Sequence, residues 1–200
     1  QEATWEGQNK TINDDLKKFF KYFKGRDPAK PFYFSHNIWK VLRSGLNSNI
    51  LNAQGSKIIR HLIAAKDFEV ELDLSQPNQL LAFELSIAPA FGVSVDKMKD
   101  KDAIDEIRNK VFNPDGSIHA DYADAVKALQ HNNDTLTEAE QIAISQAVEL
   151  GKEGAFTFDG LVALAAYANA DNGKKPFKMD LFREVDGITN GVISGLLQIP

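Results

Sequence analysis

The chain has 200 residues, 43% of them hydrophobic and 26% charged, which gives enough apolar material for one sizeable core or two small ones and argues against extended disorder. Lys and Arg number 23 against 28 Asp and Glu, a net charge of −5, so the chain does not coat nucleic acid through bulk positive charge, although a local basic surface remains open to it. Cysteine is absent, which excludes disulfides and thiolate metal sites, and no run approaches the roughly 18 to 20 apolar residues of a membrane span.

From Thr11 onward, Ile12, Leu16, Phe19, Phe20 and Phe23 fall at helical spacing with lysines between them. This predicts an amphipathic lead-in helix that stops at Gly25, Pro28 and Pro31. Phe32-Tyr33-Phe34 reads as a short strand, and the polar, Asn-rich residues 44–52 read as a loop. Residues 54–65 form the next expected helix, with Ile58, Ile59, Leu62 and Ile63 on one side and Lys57, Arg60 and His61 around it. Phe68, Val70, Leu72 and Leu74 alternate with acids as a strand would, and residues 79–91 make a strongly apolar helix broken at Pro89 and Gly92.

Residues 96–111 and 120–129 are expected to be helices joined by the turn Asn113-Pro114-Asp115-Gly116. Thr135 or Thr137 can cap a further helix whose early Glu138 or Glu140 suits the positive end of its dipole. Residues 156–170 are almost wholly apolar and should form a buried helix, followed by an exposed turn at 171–176. A return strand over 177–185 leads into Asp186-Gly187, and Asn190-Gly191 opens a second apolar segment. The fold class expected is α+β, mainly helical, with no internal repeat or linker. The chain starts without Met and stops on Ile199-Pro200 directly after an apolar segment, so a piece of a longer protein is expected.

The chemistry concentrates at Asp186-Gly187. A carboxylate at the end of an apolar strand, followed by Gly, can present both the carboxylate and a bare carbonyl to a hard cation. It is also the commonest kind of turn. His36, His61, His119 and His131 lack metal-ligand spacing, Asp115-Gly116 lacks the remaining ligands of a calcium loop, and no Walker or dinucleotide-binding motif occurs.

Asp186, Gly187, Asn190 and Gly191 match an aspartate followed by Gly, two variable residues, a small polar residue and Gly. In this they resemble the first palm motif of single-subunit, phage-type DNA-dependent RNA polymerases. Ile193-Ser194 departs from the Gln-His of many members. A second resemblance lies upstream, in Arg43, then Leu51-Asn52-Ala53-Gln54-Gly55, then residues 56–65, which parallel the family's arginine motif, Asn-Pro-Gln-Gly loop and helix. Spacing selects Arg43 as the active-site arginine, while the Gly25-Arg26 dipeptide keeps Arg26 as its rival. The absence of cysteine and the altered arginine signature look closest to the virion-packaged polymerases of N-four-like podophages.

This resemblance implies a segment of a right-hand polymerase fold, with residues 1–30 a lead-in helix and loop, 31–150 a helical region after the arginine motif, and 151–200 a palm segment. It implies template-directed nucleotidyl transfer with two magnesium ions about 3.5 to 4 Å apart. Asp186 would bind both ions and the Gly187 carbonyl would support the second. Arg43 would act electrostatically, and Asn52, Gln54, Lys57, Arg60 and His61 would contact nucleic-acid backbone. The implied partners are a DNA template, an RNA product, ribonucleoside triphosphates and the remainder of the polymerase chain, with no membrane. The implied location is the phage virion, then the host bacterial cytoplasm. The fingers helix and the second palm aspartate are missing, so the 200 residues are expected to be inactive alone. The competing expectation is a non-enzymatic helical phage module, structural or nucleic-acid-binding.

Overall fold

A computed structural model describes residues 2–27, 30, 32–33, 35–38, 44–48, 58, 62, 69–131 and 135–179. Helix α1, Glu2–Phe23, begins well before the apolar stripe and ends where that stripe stops. Phe19 is buried on it, and its ring centroid lies 4.7 Å from that of Phe23. Phe23 in turn meets Phe32 across the following turn, at 6.1 Å.

Two expectations fail just beyond α1. Phe32 and Tyr33 are not in a strand; the strand, β1, is His36–Ile38. It pairs antiparallel with β2, Ser44–Leu46, in the stretch expected to be loop, with His36 opposite Leu46 and Ile38 opposite Ser44. Pairing decided both cases, because a three-residue strand is held by its partner's backbone and needs no run of apolar side chains. The helix expected over 54–65 is described only at Ile58 and Leu62, where the Leu62 N–H donates to the Ile58 carbonyl at 3.3 Å as a helical turn requires.

From residue 69 to 179 the chain builds a helical unit closed by a two-stranded sheet. Strand β3, Val70–Leu72, leads to α2, Pro77–Ile87, which has Pro in its first turn where a missing N–H costs nothing. The apolar helix expected to run to residue 91 changes at Ile87 into a tighter turn, Ala88–Phe91, around Pro89. Asp96 likewise sits in a short 3-10 turn, Val95–Lys97, and the next helix, α3, is Asp100–Val111. Its buried residues Ala103, Ile107 and Val111 repeat every four positions, with Asp100 and Asp102 in the first turn and Arg108 and Lys110 in the last, each matched to the dipole.

Helix α4, Ala120–Gln130, buries Tyr122, Ala125, Val126 and Ala128. Helix α5, Glu138–Glu149, starts at a full capping box, with Thr137 as N-cap and Glu140 reaching back. Helix α6, Gly154–Asn169, packs with α4 and α5 and against the turn after α2, and includes the start of the region grouped as palm from the sequence. There Gly160 lets two backbones approach, since a Cβ would sit 2.7 Å from that of Ala90 and 3.1 Å from the Phe91 ring. Beside it the buried Thr157 hydroxyl lies 2.8 Å from the Ala90 carbonyl.

The core runs from Leu72 to Phe177 as one cluster. Phe83 stacks on Tyr167 at 5.5 Å and meets Phe177 edge-on at 5.6 Å. Each fully buried side chain of this size contributes about 1.5 to 3 kcal/mol, before the entropy it gives up. Strand β4, Phe177–Met179, closes the unit by pairing antiparallel with β3, Val70 opposite Met179 and Leu72 opposite Phe177. The result is mainly helical with small antiparallel sheets, an α+β chain.

Candidate functional site

The residues expected from the sequence to carry chemistry, Arg43, Asn52, Gln54, Lys57, Arg60, His61, Asp186 and Gly187, lie outside the described residues. So do the remainder of the return strand beyond Met179 and the apolar segment that follows Asn190-Gly191. What the structure places is their flanks. Arg43 immediately precedes β2 in the sequence, and Asp186 follows β4 by seven residues. The rival arginine, Arg26, is described: it is exposed just past α1, with its guanidinium carbon 4.3 Å from the centre of the Tyr22 ring.

The β3–β4 pair bears directly on the arginine and aspartate motifs. Because Val70 faces Met179, the chain leaves the upstream segment and returns toward Asp186 at adjacent points. Directly opposed residues of an antiparallel pair have Cα atoms about 4.5 to 5.5 Å apart. The excursion between them closes on itself, and the exposed Lys178–Glu69 ion pair at 3.0 Å lies at the same mouth. That pair raises the Lys178 ammonium above its usual range, the hydrogen bond from Glu69 being the largest cause.

Inside the unit the polar groups serve the fold. Glu84, buried on α2, accepts two hydrogen bonds from Arg108 on α3 at 2.6 and 2.9 Å, and this bond is the main cause of the raised Arg108 guanidinium. This pair was not singled out from the sequence, though a lone Glu in the apolar stretch of α2 was a signal for it. Asp115 accepts from the Ser117 hydroxyl at 2.6 Å and backbone N–H at 2.9 Å, which hold its carboxyl below the usual range. The Tyr167 hydroxyl donates to the Gly116 carbonyl at 2.8 Å, and burial pushes the phenol up. Asp115-Gly116 is thus a turn locked from both sides. Among the described residues no group of three or more His, Asp or Glu is placed to hold a metal ion, and no helix is long and apolar enough to cross a membrane.

Comparison with known proteins gives this arrangement a context. Residues 1–63 match a family described as a virion DNA-directed RNA polymerase domain, and residues 79–171 match the plug insertion of virion DNA-directed RNA polymerase. The chain is also similar to the virion DNA-directed RNA polymerase of Enterobacteria phage N4, 24% identical over 200 residues that cover 96% of this chain. It spans 5% of that relative's length. No solved structure matches the chain. The closed helical unit of the fold coincides with the stretch that matches an insertion, and with the two matches in that order the chain belongs to the phage virion DNA-directed RNA polymerase family.

Proposed function

We propose that the chain is part of a DNA-directed RNA polymerase that extends RNA on a DNA template from ribonucleoside triphosphates. The observation that carries this reading is the pairing of Val70 with Met179. It folds more than a hundred residues into a self-closed excursion between the arginine motif and the aspartate motif, as an insertion into a conserved catalytic scaffold would be folded. The two motifs, far apart in sequence, then need only short flanks to reach a common site, with Arg43 near Asp186.

An aspartate carboxylate and a glycine carbonyl are hard oxygen donors of the kind magnesium takes, and at Asp186-Gly187 they supply a small part of an octahedral shell. When bound, a pair of magnesium ions supplies charge stabilisation at the attacking and leaving oxygens of phosphoryl transfer. Asp186 holds both ions in this reading and the Gly187 carbonyl supports one. Arg43 offers a bidentate guanidinium fork to phosphate. Asn52, Gln54, Lys57, Arg60 and His61 steady nucleic-acid backbone from one basic helix face and the loop before it. The remaining catalytic motifs come from further polymerase chain, so these 200 residues are inactive alone, and the virion followed by the host cytoplasm is where the polymerase works.

The test is Asp186→Asn in a polymerase chain containing these residues, scored by run-off transcription and by gel shift on one preparation. Asn keeps the shape and removes the charge; losing about 5 kcal/mol of transition-state stabilisation lowers the rate by more than about a thousandfold. Template binding stays near the unsubstituted level. Substantial residual transcription would return Asp186-Gly187 to an ordinary turn and favour a non-enzymatic module.

A further inference from the structure

Helix α1 carries more aromatic and basic surface than its packing uses. Its covered stripe is Ile12, Leu16, Phe19 and Phe23. Phe20 and Tyr22 lie off that stripe and are 60% and 44% exposed. Residues three and four apart are neighbours on a helix surface, so Phe20 is bracketed by Lys17 and Lys24, and Tyr22 has Lys18 one turn before it. Just past the helix end, Arg26 supplies the other cation, its guanidinium over the Tyr22 face. A third ring, Tyr33, stands 91% exposed, close in sequence to Phe32, whose ring meets Phe23.

The charge is local. Between residues 17 and 30 there are six Lys and Arg against one Asp, in a chain whose net charge is −5. Lys17 and Lys18 reach only exposed aspartates one turn back, at 4.0 and 3.4 Å, pairs worth little in water. Lys21 and Lys24 form no ion pair among the described residues.

We propose that Phe20, Tyr22 and Tyr33, with Lys17, Lys18, Lys21, Lys24 and Arg26, form a binding surface for single-stranded nucleic acid. Unpaired bases stack on the rings and the lysines follow the phosphates, a combination that takes any sequence because every base has a π-face. Duplex fits poorly, since its bases are already stacked on one another. A protein partner would have to bury several lysines, which interface cores avoid. A lipid surface would be met by the apolar stripe, and that stripe is already covered at Phe19. The surface is independent of Asp186 and would survive failure of the catalytic assignment.

The experiment is fluorescence anisotropy of labelled sixteen-nucleotide dT and rU strands and a sixteen-base-pair duplex with the 200-residue chain, across a salt series. Both single strands are expected to bind more tightly than duplex, with affinity falling linearly in log salt. Their order tells whether DNA or RNA is the preferred strand. Tyr33→Ala, at a position too exposed to carry the fold, is expected to weaken binding on the order of tenfold, and Phe20→Ala with Tyr22→Ala on the order of a hundredfold at unchanged helical circular dichroism. Lys17→Gln with Lys24→Gln is expected to flatten the salt slope. No binding at low salt, equal affinity for duplex, ring variants that bind as well as the parent, or ring-dependent capture by phosphatidylserine vesicles in place of oligonucleotide would each overturn the proposal.

Discussion

Glu84 on α2 takes both arms of the Arg108 guanidinium on α3, with Nε at 2.6 Å and Nη2 at 2.9 Å from its two oxygens. The partners are unequally placed, for the Glu84 side chain is 7% exposed and that of Arg108 51%. Removing the arginine strands a buried carboxylate, whereas removing the carboxylate leaves an arginine that can turn to water. Arg108→Ala is therefore expected to cost about 3 kcal/mol in urea unfolding, and Glu84→Gln, which keeps an acceptor and sheds the charge, clearly less. Equal costs would mean that the carboxylate is not shielded by the helices around it.

Two glycines in left-handed backbone separate strain from crowding. Gly173 has φ +74, and a Cβ there would lie 2.7 Å from Leu74 Cδ1 and from Tyr167 Cε2; Gly116 has φ +81, with the Tyr167 hydroxyl no nearer than 3.7 Å. Gly116→Ala should cost about 1 kcal/mol, from backbone strain alone. Gly173→Ala adds overpacking against the ring and should cost about 3 kcal/mol in the same assay. A Gly173→Ala protein no less stable than Gly116→Ala would show that Leu74 and Tyr167 can give way.

Periodicity carried the helices because their buried faces are dictated by the chain itself. Ala103, Ile107 and Val111 announce α3, and Thr137 with Glu140 announces the start of α5. The sheets were less legible. His36–Ile38 and Ser44–Leu46 have no apolar alternation and exist through each other, while Phe32-Tyr33 had the apolar character of a strand and no place in one. Val70 and Leu72 were visible as strand residues, yet nothing local names Met179 and Phe177 as their partners. The catalytic reading rests on short motifs around Arg43, Asn52 and Asp186, all outside the described residues. Phe20 and Tyr22 show the opposite failure: they look like core in sequence, and only the structure separates them from the covered stripe.

Acid should loosen the start of α5. Glu140 accepts from the Thr137 backbone N–H at 2.7 Å and from its hydroxyl at 2.7 Å, and the backbone bond first, then the side-chain bond, hold its carboxyl below the usual glutamate range. A depressed folded-state value means that the stabilisation is fully present above the unfolded-state value and is lost as pH falls through the folded one. Thr137→Ala removes the side-chain bond and should move the Glu140 titration, followed by NMR, back toward the ordinary range, with a lower melting temperature at neutral pH and a smaller difference from the parent in acid. An unmoved Glu140 titration would show that the capping box is not formed in solution.

The closing strands should decide where the helical unit ends. Val70 opposes Met179, and the core cluster runs from Leu72 to Phe177, so residues 69–179 contain both strands and every buried partner of the helices between them. The family match to the plug insertion is shorter, 79–171, and leaves out Leu72 and Phe177, which are 6% and 9% exposed. Loss of the Phe177 ring alone, 5.6 Å from Phe83, resembles a large-to-small core truncation of about 3 kcal/mol, before the strand hydrogen bonds and Leu72 are counted. A protein of residues 69–179 is therefore expected to unfold in one cooperative transition, with near- and far-ultraviolet circular dichroism coinciding, and a protein of residues 79–171 to be less stable by at least that amount. Equal stability would place the sheet outside the folding unit, and a longer fragment that stays unfolded would show that the excursion depends on the chain beyond its paired ends.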